Sequence, residues 1–388
     1  MSFPTSAVGT GTPAGPSPRS GEDLIKKTWT LFRRLKCKQH RARLAAILLL
    51  TLFCLPACSP PPQRTLYTFQ GKTMGTTFAV KIAGPEQTAD RLAEMESAIQ
   101  DELQGVDSKM STYRADSELS RFNATAATAP FELSSETFEV FRHAQQISAE
   151  TKGAFDITVG PLVNLWGFGP GGRAASFPSS SIPAPEQIQR IKLQIGWDKI
   201  KLDEAAVTVS KLQPELSCDL SAIAKGYAVD QVSGALSQLG ITEYMVEIGG
   251  EVRARGKNEQ GSVWRIGIES PQDGASAIQR LLPIENAALA TSGDYRNFFE
   301  SEGVRYSHTI DPRTGMPVRH HLASVSVIDP LCVRADGYAT ALMVMGETAG
   351  YRFAVENELP ALFLIRDDQG GFSSKASPAF EARFGSSP

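Results

Sequence analysis

The chain is poor in cysteine, and most of its few cysteines lie near the N-terminus. Only Cys218 and Cys332 of the five cysteines follow residue 58. Two cysteines cannot form a disulfide framework, although one bridge between them is compatible with an oxidising compartment. The chain contains no CxxC pair and no histidine-rich tract, so the sequence does not predict a structural zinc site. Apolar burial must therefore supply most of the stability.

The chain also lacks a marked excess of charge of either sign. Its formal net charge is −3, with 21% charged and 41% hydrophobic residues. A nucleic-acid-binding protein normally carries a strong basic excess, and a disordered chain is poorer in apolar residues. The 388 residues suffice to bury a large core. The composition therefore indicates a globular protein with no nucleic-acid partner.

The apolar run near the N-terminus, Leu44–Phe53, is too short to span a membrane. It has ten residues, whereas a bilayer core of ~30 Å needs about 20. The preceding residues 33–43 carry six lysines or arginines and no acid. A basic segment followed by a short apolar run is typical of a secretory signal peptide, with an uncleaved signal anchor as the alternative.

The segment LPAC, which ends at Cys58, resembles a bacterial lipobox, in which the cysteine after the cleavage point is lipidated. Pro56 is an unusual residue within that motif. We therefore expect residues 1–58 to be a signal peptide with a lipobox, and residues 59–64 to be a proline-rich tether. The folded domain would comprise residues 65–388. A protein anchored through Cys58 would face the periplasm from the inner or the outer membrane.

The folded part mixes helical and strand patterns. Apolar residues spaced by three and four predict helices at about 86–106, 134–153, 219–240, 333–345 and 348–358. Alternating patterns predict strands near 65–70, 76–84, 244–255, 263–270, 305–310, 323–328 and 361–366. The Gly/Pro/Ser-rich segment 169–187 predicts a surface loop. This order favours an α+β fold with antiparallel hairpins over repeated βαβ units.

Two segments combine helix starts with charged or hydroxyl side chains. In DLSAIAKGYAVDQV, Asp219 precedes the helix and is expected to be its N-cap, while Lys225 could reach an anion near the helix start. In RADGYATAL, Asp336 and Thr340 are four residues apart and share a helix face. Carboxylate and hydroxyl oxygens are ligands that Mg²⁺ prefers. The alternatives are an exposed lysine and an ordinary helical pair.

A histidine, His308, stands in YSHTIDPRTGMP, where a predicted strand leads into a turn. Only histidine has an unperturbed pKa suited to proton transfer near neutrality, so His308 is a candidate general base. The alternative is a structural histidine.

Three further segments are rich in glycine or polar residues. They are KTMGTTF around Met74, MSTYRADSELSRFN around Tyr113, and GAFDITVGPLVNLWGFG, which contains residues 154–156 directly after a predicted helix end. Backbone groups at a helix end are available to a ligand. The alternatives are a hairpin turn for the first segment, a solvated loop for the second, and core packing of Phe and Trp for the third.

In this order, these six segments resemble the FAD:protein FMN transferases, the ApbE-type flavin transferases. EIGGEVRARG and ATSGDYRNFF also resemble family segments, and the resemblance extends from about Thr65 to Phe384. It implies a T-fold-like α+β architecture with mixed, mainly antiparallel sheets and packed helices. Residues 65–388 would then be the catalytic domain.

The resemblance also implies a reaction and a set of site residues. Family members bind FAD with Mg²⁺ on its pyrophosphate and move FMN to a threonine or serine hydroxyl of an acceptor protein, releasing AMP. The implied FAD contacts are Met74, Tyr113, Ala154, Phe155, Asp156, Asp219, Lys225 and His308. The implied Mg²⁺ ligands are the Ala222 carbonyl, Asp336 and Thr340. His308 would be the general base, and Lys225 would assist catalysis as a point charge.

By the same resemblance, the acceptors are flavin-carrying subunits of membrane electron-transport complexes. Two other functions fit the same motifs. One is an FAD pyrophosphatase, in which water replaces the acceptor hydroxyl and the products are FMN and AMP. The other is a non-catalytic FAD-binding lipoprotein.

Overall fold

The structure is a computed structural model that describes Trp29, Arg33 and residues 64–169, 182–269, 278–294, 298–301, 303–367, 369 and 371–385. The predicted lipobox and nearly all of the predicted signal peptide and tether lie outside these residues. Met1–Gln63 and Arg64–Pro388 form two separate units, and the second contains every element below. None of the helices in the described ranges has the length and apolar character needed to cross a bilayer.

The described part of the second unit contains eight α-helices and seventeen strands. The helices are α1 (Ala89–Met110), α2 (Glu118–Ala124), α3 (Ser135–Glu150), α4 (Gly160–Leu165), α5 (Pro185–Lys192), α6 (Ala224–Gln238), α7 (Cys332–Glu356) and α8 (Pro378–Phe384). The first nine strands are β1 (Thr65–Thr73), β2 (Thr76–Gly84), β3 (Phe131–Glu132), β4 (Ile200–Asp203), β5 (Thr208–Lys211), β6 (Tyr244–Ile248), β7 (Glu251–Arg255), β8 (Trp264–Glu269) and β9 (Ile278–Ile284). The others are β10 (Ala287–Gly293), β11 (Phe298–Ser301), β12 (Val304–Ser307), β13 (Ile310–Asp311), β14 (Met316–Pro317), β15 (Leu322–Asp329), β16 (Ala361–Arg366) and β17 (Phe372–Ala376).

The main sheet has eight strands in the order β1-β2-β6-β7-β10-β15-β16-β17. Each neighbouring pair in it runs antiparallel. Along the chain, helices and the small hairpins β8-β9, β11-β12 and β13-β14 lie between successive strands of this sheet. The predicted α+β fold with mainly antiparallel sheets is therefore confirmed.

The helices cover this sheet because their apolar residues recur along one face. In α1, Thr88 caps the first turn by accepting from the Arg91 N–H, and the buried residues follow at spacings of three and four. Helix α6 packs between α1 and α7, and α7 packs against β10 and β15. The largest cluster of buried apolar side chains joins these helices to the inward residues of β2 and β6.

The start predicted for the helix at 219–240 differs from the structure. Helix α6 begins at Ala224, and its N-cap is Ile223, so the expectation that Asp219 caps this helix was wrong. The Asp219 carboxylate instead accepts a 2.8 Å hydrogen bond from the Ser221 N–H, because an aspartate can close a local turn on its own backbone. The helices predicted on either side of residue 346 are present, and Gly346 separates them with φ 77° and ψ 177°.

The predicted loop at 169–187 is only partly described. Residues 170–181 lie outside the described residues. The end of the segment is helical, because Pro185 opens α5 at a position where its missing N–H costs nothing.

Helices α6 and α7 approach each other closely at Gly226. A Cβ atom built on Gly226 would lie 2.8 Å from Asp336 Cβ and would also overlap the Cys332 carbonyl. The same close approach lets the Gly226 N–H donate a 3.0 Å hydrogen bond to Asp336 Oδ2. A glycine is therefore required here for packing.

We expect Gly226→Ala to destabilise the protein by about 1–3 kcal/mol, because the added methyl group overpacks the crossing of α6 and α7. Gly234→Ala in the same helix is the matched control, since nothing lies within 4 Å of its added Cβ. We expect that control to stabilise the protein by about 0.5–1 kcal/mol, since alanine favours a helix interior. Urea unfolding of both variants measures the two effects, and equal stabilities would contradict the packing argument.

Candidate active site

A cavity of about 780 Å³ opens between α6, α7 and the loops that follow α3 and β12. The residues predicted from the sequence converge on it from distant parts of the chain. Those that line it are Tyr113, Ala154, Phe155, Asp156, Asp219, Ala222, Lys225, His308, Asp336 and Thr340. The fold therefore brings together every predicted site residue except one.

Met74 is the exception. It lies in the turn between β1 and β2 with φ 49°, and it lines a second cavity together with Leu103 and Arg114. The described side chain also packs against the main apolar core. Its contact with FAD stays a prediction.

Two buried carboxylates and one partly buried amine form a charged group in the lining of the first cavity. Lys225 Nζ lies 2.9 Å from Glu251 Oε1 and 3.7 Å from Asp336 Oδ2. The exposed fraction is 3% for Glu251 and 4% for Asp336. Lys225 is placed by the first turn of α6, Glu251 by the start of β7 and Asp336 by α7. We call these three residues the carboxylate–lysine triad.

Burial and mutual attraction oppose each other within the triad. Burial lowers the pKa of Lys225, but the charges of Asp336 and Glu251 outweigh it, and the net direction is upward. For Asp336, burial raises the pKa above its usual range despite the neighbouring Lys225 and the Gly226 N–H. Lys225 therefore stays protonated. A further cation beside Asp336 would stabilise the ionised form of its carboxylate.

Oxygen atoms of a type suited to Mg²⁺ line the cavity beside this triad. Asp336 and Thr340 follow each other by one turn of α7, and Ala222 lies just before α6. The Thr340 hydroxyl shares a 3.2 Å hydrogen bond with Ser292, which orients it. Among the described residues, no cluster of three or more His, Cys, Asp or Glu could hold a metal ion. One carboxylate, one hydroxyl and one carbonyl instead suit a hard cation that keeps waters and binds substrate phosphates.

The Ala154–Asp156 segment forms one wall of the cavity. The Asp156 carboxylate accepts hydrogen bonds from the Thr158 N–H (2.8 Å), the Thr158 hydroxyl (2.7 Å) and the Trp197 N–H (3.0 Å). Burial raises the pKa of Asp156, although these hydrogen bonds lower it. The carboxylate is thus committed to shaping its loop, and its contact with FAD stays a prediction.

His308 follows β12 and lies against a column of aromatic rings. The Phe168 ring meets the imidazole edge-on at 6.3 Å between centroids. Phe168 stacks on Phe299, Phe299 on Tyr306, and Tyr306 on Trp166, with centroids 5.1–5.7 Å apart. This column connects the segment after α4 to β12, the strand directly before His308. The sequence analysis did not predict it, because the rings come from separate segments.

Tyr113 lies on the loop between α1 and α2 and borders the cavity with 77% of its surface exposed. A large exposed ring at the edge of a cavity is available for stacking on a planar ligand.

The sequence analysis also missed Glu251 and Ser292, which line the cavity beside the predicted residues. Both lie in segments that resemble the family, EIGGEVRARG and ATSGDYRNFF. One signal in the sequence could have pointed to Glu251. It is an acidic residue at the start of a strand whose other buried residues are apolar, and a buried acid needs a charged or hydrogen-bonding partner.

Comparison with known proteins gives a consistent result. The family model described as the ApbE family matches residues 74–363. The chain is 43% identical over 335 residues to a protein of Vibrio cholerae named FAD:protein FMN transferase, covering 86% of this chain and 97% of that protein. It is 44% identical over 331 residues to a Haemophilus influenzae protein of the same name, covering 84% and 93%.

A solved structure extends the similarity to the fold. The structure titled flavin transferase ApbE from Vibrio cholerae superposes with a TM-score of 0.75 and 43% identity, covering 83% of this chain and 100% of that one. The family model spans most of the chain, and the two relatives align with more than four-fifths of it. The resemblance seen in the motifs is therefore confirmed, and the chain belongs to the ApbE family.

Proposed function

We propose that this protein is a Mg²⁺-dependent transferase that moves FMN from FAD to a threonine or serine hydroxyl of an acceptor protein. The names of its relatives support the transfer of FMN. The observation that carries the proposal is the carboxylate–lysine triad, which lines one cavity together with Thr340 and His308. That arrangement offers sites for a cation, a diphosphate and a proton acceptor.

The proposed reaction is a displacement at phosphorus. The acceptor hydroxyl oxygen bonds to the phosphorus of the FMN half, the bond from that phosphorus to the bridging oxygen breaks, and AMP leaves. Asp336, Thr340 and the Ala222 carbonyl would hold Mg²⁺, which supplies neutralisation of charge on the phosphate oxygens when bound. Lys225 contributes a second positive charge at the same end of the cavity.

His308 is proposed to take the proton from the attacking hydroxyl. The aromatic column packs against Tyr306 in β12, directly before His308, and its Phe168 ring contacts the imidazole, so we expect the imidazole to be held in place before substrate binds. General-base assistance typically contributes about 10²–10⁴-fold to a rate.

Intact-mass analysis of an acceptor tests this function together with the metal site. The flavin-carrying subunit of a membrane electron-transport complex is incubated with the protein, FAD and MgCl₂. We expect covalent FMN on the acceptor and none in EDTA, whereas free FMN alone would indicate hydrolysis. Asp336→Ala should lower transfer by more than about 100-fold, because it removes the charged oxygen ligand. Glu356→Ala, at an exposed position near the end of α7 beyond Gly346, is the control and should transfer normally.

The general-base proposal predicts a different pattern for His308→Ala. The rate of transfer at saturating FAD should fall by about 10²–10⁴-fold. Binding of FAD, followed by flavin fluorescence, should weaken by a smaller factor, since proton transfer is not needed for binding. The exposed His321 gives the control His321→Ala. A normal rate in His308→Ala would exclude this histidine as the base.

We also propose that the protein is exported and anchored through a lipid on Cys58, facing the periplasm. The basic segment, the short apolar run and LPAC support this proposal. Such an anchor would keep the enzyme on the same surface as acceptors in membrane complexes. In cell fractions, we expect the native chain in the membrane and Cys58→Ser outside it. Equal membrane retention of both would exclude the lipid anchor.

A further inference from the structure

The cavity proposed to bind a diphosphate is lined by more acidic than basic side chains. The lining residues that carry formal charge, within the described part of the chain, are Lys81, Lys225, Arg265, Asp156, Asp219, Glu247, Glu251, Glu269 and Asp336. Six are acidic and three are basic. A surface of this composition attracts cations and repels a dianionic group. The walls alone are therefore poorly matched to the pyrophosphate of FAD.

Glu251 is the member of this set whose position is hardest to explain by folding alone. Glu251 is only 3% exposed, and within the described part of the chain one of its carboxylate oxygens, Oε2, has no hydrogen-bond partner. The other oxygen accepts from Lys225 at 2.9 Å. A buried carboxylate oxygen without a partner costs stability, which a functional requirement can explain.

The effect of Glu251 on the site follows from counting charge in the triad. With both carboxylates ionised, Lys225 is one positive charge facing two negative charges, so the formal charge of the triad is −1. Lys225 is closer to Glu251 than to Asp336, which leaves Asp336 available for a cation. When a divalent cation joins the triad, the same group carries +1 and attracts a diphosphate.

We propose that Glu251 imposes an order of binding, in which a divalent cation enters the cavity first and FAD second. This inference rests on the proposed function, because it takes FAD and Mg²⁺ as the two ligands. Glu251 acts through Lys225 and Asp336 and is a positioning residue. Its contribution is to make the empty site selective for the cation.

Glu251→Gln tests the inference through opposite effects on the two ligands. Glutamine keeps the shape and the oxygen that accepts from Lys225, while it removes one negative charge. We expect the affinity for Mg²⁺ alone, measured by calorimetry, to fall on the order of tenfold. The affinity for FAD in EDTA, measured by flavin fluorescence, should rise by about the same factor. A merely structural role would weaken both.

Further variants restore or reverse the charge. Lys225→Met makes the remaining pair more negative, so it should bind Mg²⁺ more tightly and FAD more weakly. Lys225→Met/Glu251→Gln returns the formal charge to −1 and should bind Mg²⁺ close to the native value. The double variant differs from Lys225→Met only by Glu251→Gln. If Glu251→Gln alone fails to fold, the difference in affinity between these two variants measures the effect of removing the Glu251 charge. Glu285→Gln, exposed between β9 and β10, is the matched control and should change neither affinity.

Each outcome decides between the proposals. The inference is overturned if removing the Glu251 charge shifts both affinities in the same direction or shifts neither. If the native protein binds neither Mg²⁺ nor FAD, this inference and the proposed function both fail. If the affinities follow the charge series and the native protein binds FAD more tightly with Mg²⁺ than in EDTA, but no acceptor receives FMN, the binding order stands and the proposed transfer fails.

Discussion

The close crossing of α6 and α7 is the constraint on which the candidate active site depends. Gly226 has no side chain, so α7 can approach until the Asp336 carboxylate accepts a hydrogen bond from its N–H. One residue earlier on α6, Lys225 reaches Asp336 from the same turn. A wider crossing would separate the amine from the carboxylate. The close packing at Gly226 and the ion pair between Lys225 and Asp336 therefore depend on the same helix crossing.

The main sheet supplies two further polar side chains beside this crossing. Strand β7 follows the Gly249–Gly250 turn and places Glu251 beside Lys225, while β10 carries Ser292 beside Thr340. Because neighbouring strands are fixed by backbone hydrogen bonds, these side chains are held more rigidly than they would be on loops. The polar side chains on one side of the cavity thus lie on strands and helices, and the loops after α3 and β12 form its other walls.

The charged side chains of the triad are suited to bind a cation and an anionic ligand together. In the absence of any ion, Lys225 pairs with both buried carboxylates, but one amine offsets the charge of only one of them. The same group would become electropositive once a divalent cation joined it. This arrangement connects the stability of the empty protein with the proposed need for a metal and a diphosphate together.

The sequence by itself determined the helices and strands with strong periodicity, because apolar spacing reports directly which face is buried. It also identified Asp336 with Thr340, since residues four apart on a helix share a face, and the resemblance pointed to His308 and Lys225. Only the tertiary structure decided that Lys225 contacts Asp336 across 111 positions, that Glu251 completes the triad, that Met74 lies in another cavity and that Asp219 closes a turn. These are contacts between distant segments or local backbone choices, which depend on how elements pack and leave no periodic signal in the chain.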